Sequence, residues 1–242
     1  MFATGIQAQS WRINRYEGTF GLGTTNFFGD IGGTEDVNTA LGFKDIQLKF
    51  TRPSFAFGAR YKLNGTMALK MNIIYAFIAG NDYGARNDFR KFAFTSTIFE
   101  HSLQFEYYVI PEKNRTSSAL FNRRGMINNF STINLYLFTG FGYALFNPKP
   151  KDGFVDDFED NFSNFGLVFP VGIGLKYPLD SNWSLGFEMG RRFTSTDYID
   201  GYHSTEYSDH NDTYYFGVFN AIYKIRANRK GLPMLKRKGF QR

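Results

Sequence analysis

Glu100, His101 and Ser102, with Glu106 just beyond, are the residue types from which a hydrolase builds a nucleophile, its base and an orienting acid. A serine hydroxyl attacks an acyl carbon only when a neighbouring imidazole takes its proton, so the two side chains must meet. In an extended chain, adjacent residues point to opposite faces, which separates His101 from Ser102. There is no G-x-S-x-G elbow and no phosphate-cradling glycine loop. Cysteine is absent, which excludes thiol catalysis, Cys-based zinc sites and disulfides. The expectation is therefore a non-enzyme, with His101 at a boundary and Ser102 as an interior hydroxyl.

Two acidic segments have metal-ligand chemistry. Asp156, Asp157, Glu159 and Asp160 offer the carboxylate oxygens a Ca²⁺ ion wants, without EF-hand spacing or its glycine, and a solvated loop is the simpler reading. Asp197, Asp200, Glu206, Asp209 and Asp212, with His203 and His210, form a second such segment, for which a surface loop or protein contact is favoured over a metal. No cofactor is expected. The basic tail, with Arg226, Arg229, Lys230, Lys236, Arg237, Lys238 and Arg242, lacks interleaved stacking aromatics apart from Phe240. That argues against nucleic acid and for anionic lipid, an acidic protein or plain solvation.

The remaining charges that attract notice are Glu17, Arg60, Lys70, Glu100, Glu106, Lys176, Glu188 and Arg192, each inside an alternating segment. Period-two patterning recurs over Tyr16–Phe28, Arg52–Leu63, a run from Met67, Phe92–Ile110, Ile133–Phe146, Leu167–Tyr177, a run from Trp183 and a final run from Tyr215 to Ile225. Met67, Leu69, Met71, Ile73, Tyr75 and Phe77 face one way, for example, and Lys70, Asn72 and Ala76 the other. The phase changes near Phe99, where a β-bulge would explain the slip. Asn64-Gly65 reads as a hairpin turn with positive φ at both positions.

The minor face decides the environment. A soluble barrel packs apolar side chains inside and is polar outside. Here one face is almost uncharged along whole strands, and the other mixes glycine and alanine with the eight charges above, as suits a narrow polar lumen. Phe (29) and Tyr (15) are abundant, and Tyr61, Tyr107, Tyr177, Trp183 and Tyr223 sit near strand ends, where aromatic girdles form. Apolar runs such as Ile73 to Ala79 fall far short of the roughly 20 residues of a membrane helix. These features predict an all-β, eight-stranded antiparallel transmembrane barrel of the outer-membrane type over residues 11–225. Residues 1–10 are either the remnant of a signal peptide or a flexible N-terminus, and 226–242 form a basic tail. Connections near 64–66 and 179–182 are short, whereas 29–51, 80–91, 147–164 and 195–213 are long, which orients both termini to the periplasm. The exception is 111–130, long on the short-turn side, with Lys113, Arg115, Arg123 and Arg124 against Glu112 alone. Much of the net charge of +6 then belongs to that side.

Four stretches, GLGTTNFFGDIGG (21–33), FKDIQLKFTRPSFAFGARYKL (43–63), FIAGNDYGARNDFRKFAFTSTIFEHSLQFEY (77–107) and RRFTSTDYIDGYHSTEY (191–207), resemble the outer-membrane barrel family typified by PorG, of the type IX secretion machinery. The TRP and TDYID segments are the more specific, because alternation does not dictate them. The resemblance implies an accessory of protein export that contacts a periplasmic ring of a PorK-like lipoprotein and a PorN-like protein. It carries no catalytic motif. From the residues themselves, Arg123, Arg124, Lys236, Arg237 and Lys238 are the candidate partner-binding set, with Leu120, Phe121, Met126 and Ile127 supplying burial. The alternative is a stand-alone small barrel acting as adhesin, narrow transporter or lipid-modifying enzyme.

Overall fold

The computed structural model describes residues 14–28, 31, 51–82, 89–112, 133–152, 158, 162–202, 211–228 and 231–234. Eight strands follow one another as β1 (Tyr16–Phe28), β2 (Arg52–Lys62), β3 (Met67–Asn81), β4 (Phe92–Ile110), β5 (Asn134–Asp152), β6 (Phe165–Pro178), β7 (Trp183–Thr194) and β8 (Thr213–Ile225). Each pairs antiparallel with the next, and β1 pairs with β8 from Tyr16↔Ile225 to Phe28↔Thr213, closing the barrel. Closure joins the last strand to the first, so the backbone amides of the wall pair between strands rather than with water, the condition for crossing a bilayer.

The outer wall is apolar across a continuous band around the barrel. Leu22, Phe57, Met71, Leu103, Leu137, Val171, Leu185 and Phe219 are exposed on strands all around it, and Phe141 and Phe219 reach 63% and 71% exposure. A water-soluble barrel would turn such residues inward. Aromatic pairs mark the short-turn rim: Tyr16 and Tyr61 lie 5.2 Å apart, and Trp183 and Tyr223 4.9 Å. The fold is thus the eight-stranded antiparallel transmembrane barrel that the alternation predicts.

The two short turns share one construction. Leu63 and Asn64 both donate backbone N–H to the Met67 carbonyl, at 2.9 and 3.2 Å, and the Asn64 side-chain oxygen accepts from the amides of Thr66 and Met67, both at 2.8 Å. Leu179 and Asp180 repeat this toward Trp183, with Asp180 Oδ1 accepting from the amides of Asn182 (2.6 Å) and Trp183 (2.7 Å). Those two amides hold the Asp180 carboxyl below its ordinary value. Neither Asn64 nor Gly65 has positive φ. The expected two-residue turn is replaced by a longer one, closed by the side chain of its polar residue.

The expected bulge near Phe99 is also corrected. Alternation runs unbroken from Phe94 through Ser96, Ile98, Glu100 and Ser102, all buried in the lumen, and the register with β5 shifts only between Tyr108 and Ile110. The change of phase in the sequence arises because the lumen itself changes from apolar to polar along β4.

The lumen as candidate functional site

The eight charges singled out in the sequence all lie in the lumen, none more than 2% exposed. Arg60 is the hub. Its guanidinium meets Glu17 (2.9 Å) and Glu106 (2.7 Å), and reaches Glu188 at 3.3 Å. Lys70 donates to both oxygens of Glu188 at 2.7 Å, and the Tyr136 hydroxyl donates to the same carboxylate at 2.7 Å. Lys176 donates to Glu17 at 2.5 Å. Glu100 accepts from Ser102 (2.9 Å) and Tyr214 (2.6 Å), with Arg192 Nε 3.5 Å away. Glycine makes the space for these bulky groups: a Cβ on Gly174 would lie 2.2 Å from the Tyr136 ring, and one on Gly172 would lie 2.5 Å from that of Phe138.

Lys62, Lys224 and Glu112 are the members that sequence reading left out of the lumen set. Glu112 follows β4 and turns into the short-turn mouth, where it accepts from Lys62 (2.6 Å), Lys176 (3.2 Å) and Lys224. The lone acid of the basic connection is thus also the carboxylate that closes the lumen. Lys62 and Lys224 were legible as lumen-facing from alternation; Glu112 was not, because it lies outside any alternating run. Burial alone would raise the Glu112 carboxyl, but the three lysines hold it well below the ordinary carboxylate range. A depressed folded pKa stabilises the fold above the unfolded value, about 4.3, and that contribution is lost as pH falls through the folded value. Glu112→Gln is expected to lower stability at pH 7 by roughly 1–3 kcal/mol and to flatten the acid limb of the unfolding curve. Chemical denaturation of the folded barrel across pH 2–7 checks both.

The charged layer does not extend through the barrel. Toward the long-loop end the lumen is filled by Ile74, Ile78, Phe94, Ile98, Phe146 and Phe216, with Ile31 and Ile199 entering from the loops. Arg192 sits at the junction, its guanidinium 4.5 Å from the Phe216 ring centre. The lumen expected to be polar throughout thus carries its charge network in the short-turn half, with neutral polar groups such as Thr25, Ser54 and Ser96 among the apolar side chains beyond. Above the plug, Asp212 accepts from the Ile199 amide (2.8 Å), and Asp200 from the amides of Tyr202 (3.0 Å) and Ile31 (3.3 Å). These carboxylates of the second acidic segment hold loop backbone. Glu206, Asp209, His203 and His210, and the whole set Asp156, Asp157, Glu159 and Asp160, lie outside the described residues.

His101 and Ser102 stand on opposite sides of the wall. His101 faces outward, stacked on Tyr143 at 5.3 Å and edge-on to Phe99 at 4.8 Å, while Ser102 faces Glu100 inside. Of the tail, residues 226–228 and 231–234 contribute an Ala227–Pro233 bridge, and the Gly231 carbonyl accepts from the Tyr16 hydroxyl at 2.9 Å. Arg123, Arg124, Lys236, Arg237 and Lys238 lie outside the described residues, as does the 1–10 segment.

Closure, an apolar outer wall and a filled interior define a small transmembrane β-barrel. The chain belongs to the family described as a domain of unknown function, DUF6089, which it matches over residues 3–223. No curated protein matches the sequence. Among solved structures it is similar to the Neisserial surface protein A, at 12% identity over 87% of this chain and 97% of that one, with a TM-score of 0.42. It is also similar to the outer membrane protein OprG of Pseudomonas aeruginosa, at 10% identity over 89% and 98%, with a TM-score of 0.46. The outer membrane enzyme PagL is similar at 12% identity over 90% and 99%, with a TM-score of 0.36.

Proposed function

We propose that the protein is a non-enzymatic accessory of protein export in the outer membrane of a Gram-negative envelope, holding a periplasmic assembly at its short-turn face. The type IX secretion ring of a PorK-like lipoprotein and a PorN-like protein is the partner that the sequence resemblance implies. The observation that carries this reading is the filled lumen: a barrel closed by a charge network at one end and an apolar plug at the other offers no path for solute. Its investment beyond the membrane lies instead at the rims. The 111–133 connection starts from an anchored Glu112, and the tail begins with a hairpin tied to Tyr16. The separation of His101 from Ser102 supports the non-enzymatic part. Both termini, Arg123, Arg124, Lys236, Arg237 and Lys238 face the periplasm in this reading, where basic charge steers an acidic partner and the neighbouring apolar residues bury against it.

Deleting the gene is expected to stop export of many cargo proteins while envelope permeability stays unchanged. Replacing those five basic residues by serine leaves barrel assembly intact and weakens capture of the periplasmic partner in mild detergent. Normal export in the deletion strain would refute the role. Capture that survives the five replacements but fails when 195–213 is altered would place docking on the other face.

A further inference from the structure

β4 and β5 are each 19 residues long, well beyond the 9–11 residues or so that a tilted strand needs to cross hydrocarbon. Their paired long-loop ends therefore project past the apolar band, and the outward face changes character there. Phe99, Tyr143 and Leu145 face the acyl layer; higher up, the outward positions are Thr95, Thr97, Asn147, Lys149 and Lys151. Thr95 pairs with Lys149 and Thr97 with Asn147, so these side chains form one patch. Against it lies a concavity of about 430 Å³ lined by Arg52, Pro53, Phe77, Thr95, Thr97 and Asn147. Lys91, also exposed, immediately precedes β4. Among the described outward residues of this patch there is no acidic side chain.

Apolar wall below, hydroxyl and amide groups at the boundary, and cations above follow the order of layers in a phosphorylated lipid. We propose that this patch binds a bis-phosphorylated, multiply acylated glycolipid with the chemistry of lipid A, its phosphates on Arg52, Lys149 and Lys151 and an acyl chain along Phe77 and Pro53. A cation near an anionic lipid surface is drawn to its phosphates. Arg52 lines the cleft from β2, and Lys149 and Lys151 stand on β5 on its other side, so the cations are spread across three strand spacings and suit a ligand with two separated phosphates better than a phospholipid with one. The assignment rests on the outer-membrane orientation proposed above, in which the long-loop end meets the outer leaflet.

The test is native mass spectrometry of the folded, delipidated barrel with lipid A, monophosphoryl lipid A or phosphatidylglycerol added singly. One lipid A is expected to be retained, with weaker retention of the monophosphoryl form and weaker still of phosphatidylglycerol. The combined variant Arg52→Gln, Lys149→Gln, Lys151→Gln is expected to bind lipid A roughly tenfold or more weakly, and Arg226→Gln, at the opposite rim, to bind as wild type. Heat-modifiable gel migration confirms that each variant is folded. Equal retention of lipid A and phosphatidylglycerol, or an unchanged triple variant, overturns the site. Loss on Arg226→Gln equal to that of the triple variant would move the lipid to the short-turn rim and overturn it too. Because the binding is measured on purified protein, it stands or falls separately from any role in export.

Discussion

Replacing Arg60 with methionine lowers the unfolding free energy of the barrel by about 3–5 kcal/mol, the cost of leaving buried charges without their partner. Arg60 alone touches Glu17, Glu106 and Glu188, and it has no access to solvent. Lys176 and Lys62 still compensate Glu17, and Lys70 still compensates Glu188. Among the described residues Glu106 keeps only the Tyr108 hydroxyl, at 3.1 Å, so the loss concentrates there. Glu106→Gln in the Arg60→Met background is therefore expected to recover a substantial part of the stability. Urea unfolding in lipid vesicles, followed by tryptophan fluorescence and completed as a double-mutant cycle, measures the coupling. Additive losses would show that Arg60 acts as packing rather than as the hub of a charge network.

Reconstituted in planar bilayers, the protein is expected to show no steady conductance, and Glu112→Gln to remain closed. Two different seals lie in series. The short-turn half is held by ion pairs, and the long-loop half by Ile74, Phe94, Ile98 and Phe216, which need no charge to exclude ions. Loosening the first leaves the second intact. Steady current from the wild-type chain would favour the narrow-transporter alternative. Current appearing only in Glu112→Gln would show that the apolar layer does not seal.

Alternation made most of the wall legible. Met67 to Phe77 and Leu135 to Leu145 could be sorted into outer and inner faces because a strand has a period of two and the bilayer rewards only one face. Length was less legible: β5 runs on to Asp152 through Pro148 and Pro150, where no apolar face is required and the periodic signal fades. The turn at Asn64 was placed correctly and its geometry was not, since one side-chain oxygen replaced the positive φ that the dipeptide permits.

By itself, the sequence determined the eight strands, the lipid-facing surface and eight of the interior charges, all properties of residues near in the chain. Only closure decided which charge meets which. Arg60 lies directly across from Lys70 on the neighbouring strand, a like-charge pair that would be unfavourable in an open sheet. Both are compensated by Glu188, which arrives from β7 across the lumen. Closure also decided that Glu112, outside every periodic run, would meet Lys62, Lys176 and Lys224 from three different strands. The division into a charged half and an apolar half has the same origin. Each strand contributes only a few inward side chains to a layer, and a layer exists only once eight strands, staggered by their tilt, have been joined into a ring.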